Sequence, residues 1–405
     1  MFTVYTLLAQ VLTVVAEEPI AVFSESGACP PYNLYALQAV GPCQPLGRAM
    51  SIRNRTTEFC DRFGLRVPIL LAPMAGASAP ALSIAVANAG GLGACGALLM
   101  ARSEIVAWAD EVRAASNGRF QLNLWIPDSS PVRNAAHEKL VREFLAKWGP
   151  VVAEDAGDAR PPDFTAQCEA LLEARPPIVS SVMGLYPSEF VNRLKSLGIA
   201  WFANTSTVAE SKAAEAAGAD VVVVQGMEAG GHRGCFDSNK AEREMVGLAS
   251  LVPGVVDAVR IPVVATGGIA DGRGVAAALA LGASAAQVGT GFLRAPEAGI
   301  HPAWAEALAK AAPEDTVVSR AFSGRAGRSL STDYVRAAIS DDAPRPAPYP
   351  VQRGLTAAMR VAAVKAGAVS RMQAWAGQSA GLARAESARK ILERLWDDAL
   401  AILRY

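Results

Sequence analysis

The sequence predicts an α/β fold, a (β/α)8 TIM barrel with an additional smaller, mostly helical C-terminal region. Three observations predict it. Strand-length apolar runs recur eight times between residues 68 and 290, Ala-rich stretches with helical spacing separate them, and the runs are apolar throughout instead of alternating. Continuous apolar runs belong to parallel strands covered on both faces, and repeated strand–helix alternation closes most simply into a barrel. An open doubly wound sheet is the main competitor.

In chain order the strands are expected at PILLA (68–72), LGACGAL (92–98), FQLNLWI (120–126), PIVSSVM (177–183), IAWFA (199–203), DVVVVQ (220–225), IPVVAT (261–266) and AAQVGT (285–290). The four valines of the sixth are β-branched and suit a pleated surface buried on both faces. Helices are expected at APALSIAVANAG (79–90), SEIVAWADEVRAAS (103–116), PSEFVNRLKSLG (187–198), STVAESKAAEAAG (206–218), VGLASLVPGVVDAV (246–259) and DGRGVAAALALG (271–282). Several end in Gly, the residue that closes helices most readily. The connection at 127–176 is long and carries PDSSP, GP and RPP, whose prolines argue for extra loops.

After residue 300 the alternation stops. Segments such as HPAWAEALAKAAPEDT, FSGRAGRSLSTDYVR and PRPAPYPVQRG read as helices with Pro-rich and Arg-rich joints, laid over the active-site side. The last stretch, SARKILERLWDDALAIL, sets Ile391, Leu395, Leu400 and Leu403 near one face, as a docked amphipathic helix does. The expected organisation is therefore a poorly ordered N-terminal extension (1–49), a barrel (50–300) and a helical C-terminal region (301–405). The extension carries an apolar run shorter than the ~20 residues a membrane span needs, and it lacks the basic start of a secretory signal.

Lys plus Arg (38) balances Asp plus Glu (38) in 405 residues, and no basic run appears, which disfavours nucleic acid and membrane as partners. Six scattered cysteines with no C-x-x-C pair make a zinc site or a disulfide framework unexpected. The expectation is a cytoplasmic protein that handles a small molecule, holds no metal, and has a homodimer as the assembly to test.

In barrels of this kind chemistry sits at the C-terminal ends of the strands, with phosphate in the loops after strands seven and eight. Here those loops read TGGIADGRG (266–274) and QVGTGFLRA (287–295). Gly267, Gly268 and Gly289 let backbone N–H groups approach an anion, Thr290 adds a hydroxyl, and the helix starting near Asp271 adds its dipole. No Walker motif is present, and GLGACG (91–96) lacks the Rossmann spacing, so a mononucleotide-type cofactor is expected. The sixth strand ends VVVVQGMEAGGHRG (221–234). Gln225 is expected to point at the cofactor, and Gly230 and Gly231 to let its ring approach the backbone. His232, one of three histidines, would project into the mouth and titrate near pH 6.5, with Arg233 raising the local positive potential. His137 and His301 read as structural, Cys235 as packing, and Glu228 as either a cap or an acid.

At these residues the chain resembles the nitronate monooxygenase family, formerly called 2-nitropropane dioxygenases, among the FMN-dependent (β/α)8 enzymes. The matching segments are PILLAPMAGASAPALSIAVANAGGLG (68–93), FQLNLWIP (120–127), VVQGMEAGGHRG (223–234), VVATGGIADGRGVAAALALGASAAQVGTGFL (263–293) and SGRAGRS (323–329). The resemblance implies non-covalent FMN, with phosphate at Gly267, Gly268, Gly289 and Thr290 and the ring at Met74, Asn123, Gln225 and Gly230. Gln287 joins the cofactor-binding set, and His232 matches the family's active-site histidine, a base or an electrostatic partner. It implies oxidation of alkyl nitronates, such as propionate 3-nitronate, with O2 to a carbonyl compound and nitrite. NAD(P)H:quinone reductase or flavin enoyl-ACP reductase is the alternative, and a non-catalytic FMN-binding subunit a third. Where some members carry a second histidine this chain has Val182, and where they carry a tyrosine and a lysine after PYP it has Arg353 and Ala357. Deleting residues 1–49 is expected to leave flavin content and melting temperature nearly unchanged, as for a terminus outside the core; a truncated protein that loses flavin would show the segment to be structural.

Overall fold

Parallel strands form the centre of the computed structural model, which describes residues 50–404; the expected extension, residues 1–49, lies outside them. The first nine strands are β1 (Ile69–Leu71), β2 (Gly93–Gly96), β3 (Phe120–Trp125), β4 (Ile178–Val182), β5 (Ala200–Thr205), β6 (Val221–Gln225), β7 (Gly231–His232), β8 (Val263–Thr266) and β9 (Ala285–Val288). All except β7 join one sheet in the order β1-β9-β8-β6-β5-β4-β3-β2, and every pairing is parallel. The seam between β1 and β2 is bridged at Leu70 and Leu92, with the Leu71 N–H donating to Leu92 O (2.8 Å) and the Leu92 N–H to Ile69 O (3.1 Å). A closed barrel leaves no strand edge to solvent. Each barrel strand coincides with an expected run, with ends moved by up to two residues.

The helices are α1 (Ile52–Phe63), α2 (Pro80–Asn88), α3 (Arg102–Ala115), α4 (Ala135–Leu145), α5 (Phe164–Ala174), α6 (Ser188–Ser196), α7 (Val208–Ala216), α8 (Leu248–Val256), α9 (Gly272–Ala280), α10 (Pro302–Ala309), α11 (Asp333–Ala338), α12 (Val351–Leu355), α13 (Ala357–Lys365) and α14 (Ala388–Leu403). Among the described residues no helix is long and apolar enough to cross a membrane.

Helix α1 starts where the Ser51 hydroxyl accepts the Asn54 N–H (3.2 Å) and stops at left-handed Gly64. Its buried Phe59 and Phe63 pack on Phe202 and, with Cys60 and Leu65, cluster against Ile178, Val221 and Ala285 at the strand starts. This plugs the N-terminal end of the barrel, so a ligand must enter at the other end.

Seven barrel strands are each followed by a ring helix, but β9 is not. The eighth position belongs to α14, whose Ile391, Leu392, Leu395 and Ala399 pack with Val275 and Leu279 of α9 and Val86 of α2. The approach is so close that a Cβ on Gly272 would lie 2.4 Å from the Asp398 Cβ. Residues between β9 and α14 thus form an insertion in the eighth strand-to-helix connection.

That insertion is helical except for β10 (Thr316–Ser319) and β11 (Gly327–Leu330), which with β7 make a three-stranded antiparallel sheet. Gly327 pairs with His232 and Arg328 with Gly231. The sequence reading gave no strand here because GRS has little strand propensity of its own; the pairing partner supplies the structure. The long connection after β3 contributes α4, whose Val141 and Leu145 pack with Phe322, Tyr334, Leu355 and Met359 of the insertion. Together they build a roof over the C-terminal mouth.

Candidate active site

A cavity of about 410 Å3 lies at the C-terminal ends of the barrel strands, within the range of small-molecule sites. Its floor is polar because successive inward positions of β3, two residues apart, carry Gln121 and Asn123. The Gln121 amide donates to Leu71 O (3.3 Å) and to Gln287 Oε1 (3.1 Å), and the Asn123 amide donates to Ser180 Oγ (3.0 Å). Three buried wall atoms find no partner among the described residues: Gln121 Oε1, Asn204 Oδ1 and Trp304 Nε1. Leaving such a group unsatisfied costs about 1–3 kcal/mol each, a cost that a ligand offering both donors and acceptors removes. A flavin ring system offers both, so the wall fits the expected cofactor class.

The loops after β8 and β9 form one side. Gly267 and Gly268 have φ of 118° and 66°, conformations that glycine adopts without strain. The Ser379 hydroxyl donates to Gly268 O (2.6 Å), and the Gly377 N–H donates to Thr290 Oγ1 (3.0 Å), which leaves the Thr290 hydroxyl proton free to donate. Among the described residues neither the Gly268 nor the Thr290 N–H has a protein acceptor. A Cβ on Gly289 would stand 3.3 Å from the Ala72 Cβ and 3.4 Å from the Met74 sulfur, so the loop packs closely on the turn after β1. One expectation is corrected: Asp271 accepts the Arg273 and Gly274 N–H groups (3.0 and 3.2 Å) and pairs with the Arg273 guanidinium, so it caps α9 itself. The donors left open on this side are therefore loop backbone and the Thr290 hydroxyl, while Asp271 occupies the helix terminus.

The GGH segment forms the opposite side. Gly231, with φ of 78°, has open space where a Cβ would stand, whereas a Cβ on Gly230 would lie 2.4 Å from Gly377 N. Gly230 thus admits the roof backbone, a different reason from ring approach. Gln225 spans the turn, donating to His232 O (3.1 Å) and accepting from the Gly234 N–H (2.8 Å). Gln225 thus holds His232 in place while itself lining the cavity. Arg233 is buried and donates to the carbonyls of Gln225, Ser206 and Glu244, so it braces the loop, and the cations that act on His232 are Arg325, Arg353 and Arg360 instead of Arg233. The Glu228 carboxylate accepts the Leu248 N–H at the start of α8, which settles it as a cap.

His232 stands between Trp125 and Trp375, both with ring centroids 4.7 Å away, and its Nε2 is 2.7 Å from Ser323 Oγ. Burial, with help from Arg325, Arg353 and Arg360, pushes its pKa down to about 3, well below the expected value near 6.5. A group depressed in this way resists protonation in the folded state. The stability it contributes is present above pH 6.5 and is lost as pH falls toward 3. The kcat/KM profile should accordingly show no break near pH 6.5 from His232; a break there that disappears in His232→Asn would contradict the neutral assignment.

All ten expected site residues line this one cavity: Met74, Asn123, Gln225, Gly230, His232, Gly267, Gly268, Gln287, Gly289 and Thr290. His137 and His301 do not; the first bonds Arg345 O through Nε2 and the second caps α10. Sequence reasoning missed Gln121, Asn204, Trp375 and Arg360, and named Arg353 only as standing where some family members carry a tyrosine. A signal existed for Gln121, a polar residue in register with Asn123 inside an apolar strand. The others depend on long-range packing.

Fold and cavity together define a (β/α)8 barrel enzyme acting on small molecules. The nitronate monooxygenase family model matches residues 57–398. A Staphylococcus aureus (strain Newman) protein described as a probable nitronate monooxygenase is 33% identical over 359 residues, covering 87% of this chain and 99% of the relative. Among solved structures, nitroalkane oxidase from Streptomyces ansochromogenes is 36% identical with a TM-score of 0.77, covering 84% of this chain and 97% of that one. FabK from Thermotoga maritima is 29% identical with a TM-score of 0.67, covering 86% and 97%. The chain belongs to the nitronate monooxygenase family and is a flavin-dependent oxidoreductase.

Proposed function

We propose that the chain binds FMN non-covalently and oxidises alkyl nitronates, propionate 3-nitronate among them, with O2 to a carbonyl compound and nitrite. The observation that carries this is the opposition, across one cavity, of a backbone anion cradle at Gly268 and Thr290 and a neutral His232 held between two tryptophans. FMN bound there supplies the electron-accepting ring. Gly267, Gly268, Gly289 and Thr290 would hold its phosphate, and Met74, Asn123, Gln287, Gly230 and Gln225 would border the rest.

The remaining roles belong to the chain's own groups. Ser323 fixes the imidazole through Nε2, and Nδ1 has no partner among the described residues, so it is available to hold the substrate by a hydrogen bond. Trp125 and Trp375 exclude water from that contact. Cys60, Cys95, Cys168 and Cys235 are free and buried, which supports a reducing, cytoplasmic setting.

A second reading, NAD(P)H-dependent reduction of an enoyl thioester or a quinone, is favoured by the likeness to FabK. One anaerobic experiment separates the two: bound flavin should bleach with propionate 3-nitronate and persist with NADH. Rapid bleaching by NADH with none by the nitronate would overturn the proposal and favour the reductase.

A further inference from the structure

Two guanidinium groups on the cavity wall lack an acid. Arg353 of α12 has no side-chain partner among the described residues, and Arg360 of α13 donates only to neutral oxygens: Thr356 Oγ1 (3.1 Å), Gln373 Oε1 (3.3 Å) and Arg353 O (2.8 Å). Asp128, the carboxylate beside the third arginine that acts on His232, is paired with that Arg325 at 3.3 Å. Burial next to Arg353 pulls the Arg360 pKa down to about 10, the direction expected of a cation whose counter-ion is missing. Partly burying two such charges without an anion is unfavourable, and a ligand's anion offsets it.

The segment 373–379 runs along the cavity and orders its parts. Gln373 contacts Arg360, Trp375 packs its tilted ring against His232, Gly377 bonds Thr290, and Ser379 bonds Gly268. The arginines therefore lie beyond His232, at the end away from the glycine cradle. Resting on the nitronate reading above, we propose that Arg353 and Arg360 recognise a carboxylate on the substrate, so that the enzyme prefers small nitronates carrying a second anion. Planar guanidinium forks match a carboxylate with paired hydrogen bonds, and Arg360 keeps N–H groups to spare. The cavity of about 410 Å3, once shared with a cofactor, leaves room for a small molecule only.

The test compares kcat/KM of the holoenzyme for propionate 3-nitronate and for the uncharged propyl-1-nitronate, in wild type, Arg353→Gln, Arg360→Gln and Arg353→Lys. Wild type should favour the carboxylate by about tenfold or more. Each Gln variant should shrink that ratio about tenfold, mainly through KM, and Arg353→Lys should restore part of it. Propionate titrated calorimetrically should bind wild type and bind Arg353→Gln at least about tenfold more weakly. No wild-type preference, ratios unchanged in both Gln variants, or no propionate binding would each overturn the arginine assignment. Failure of both nitronates to turn over would instead overturn the reaction, and the propionate titration would still decide the arginines.

Discussion

His232→Asn should keep its flavin and lose about 10²-fold or more of kcat/KM, the range for a positioned hydrogen-bonding or acid–base group. Flavin retention follows because no cradle residue is altered and Asn is smaller than the imidazole between Trp125 and Trp375. The substrate form then distinguishes two roles. Loss of a base would abolish turnover of the neutral nitroalkane and spare preformed nitronate, whereas loss of an anion partner would damage nitronate turnover itself. With its pKa held near 3, the imidazole is a weak proton acceptor at neutral pH, so the larger loss is expected on the nitronate. Full activity on both forms would mean that His232 only packs.

Gly230→Ala should be nearly as severe, by another route. Its new methyl would stand 2.4 Å from Gly377 N and 2.6 Å from Ala376 C, and backbone cannot rotate away as a side chain can. The segment carrying Trp375 must move, and with it the Gly377 bond to Thr290 and the ring contact with His232. Overpacking of this kind costs about 1–3 kcal/mol, occasionally more, and here it falls on the site. Melting temperature and flavin content should drop together. A variant with wild-type flavin content and activity would show that the roof tolerates displacement.

How much of this was legible depended on whether the determinant was local. The eight strands were readable because burial on both faces forces an unbroken apolar run, as in VVVVQ. Gly267, Gly268, Gly289 and Thr290 were readable because barrel topology singles out two loops. The state of His232 was not readable, since it is set first by its burial under the roof and then by Arg325, Arg353 and Arg360, which lie roughly a hundred residues further along the chain. Nor was the three-stranded roof sheet, in which GH and GRSL become strands only by pairing with each other. Gly230 was singled out correctly as a site of close approach, but what approaches is residue 377.

The position of α14 bears on the order in which the protein is made. A ribosome releases residues 50–300 with all eight strands complete, yet the groove between α9 and α2 stays uncovered until residues 388–403 emerge. Val275, Leu279 and Val86 remain without their partners Ile391, Leu392 and Leu395 until then. Nascent chains expose such surfaces to chaperones and to one another. A chain that stops before residue 388 would therefore hold every barrel strand and still present an open flank between α9 and α2.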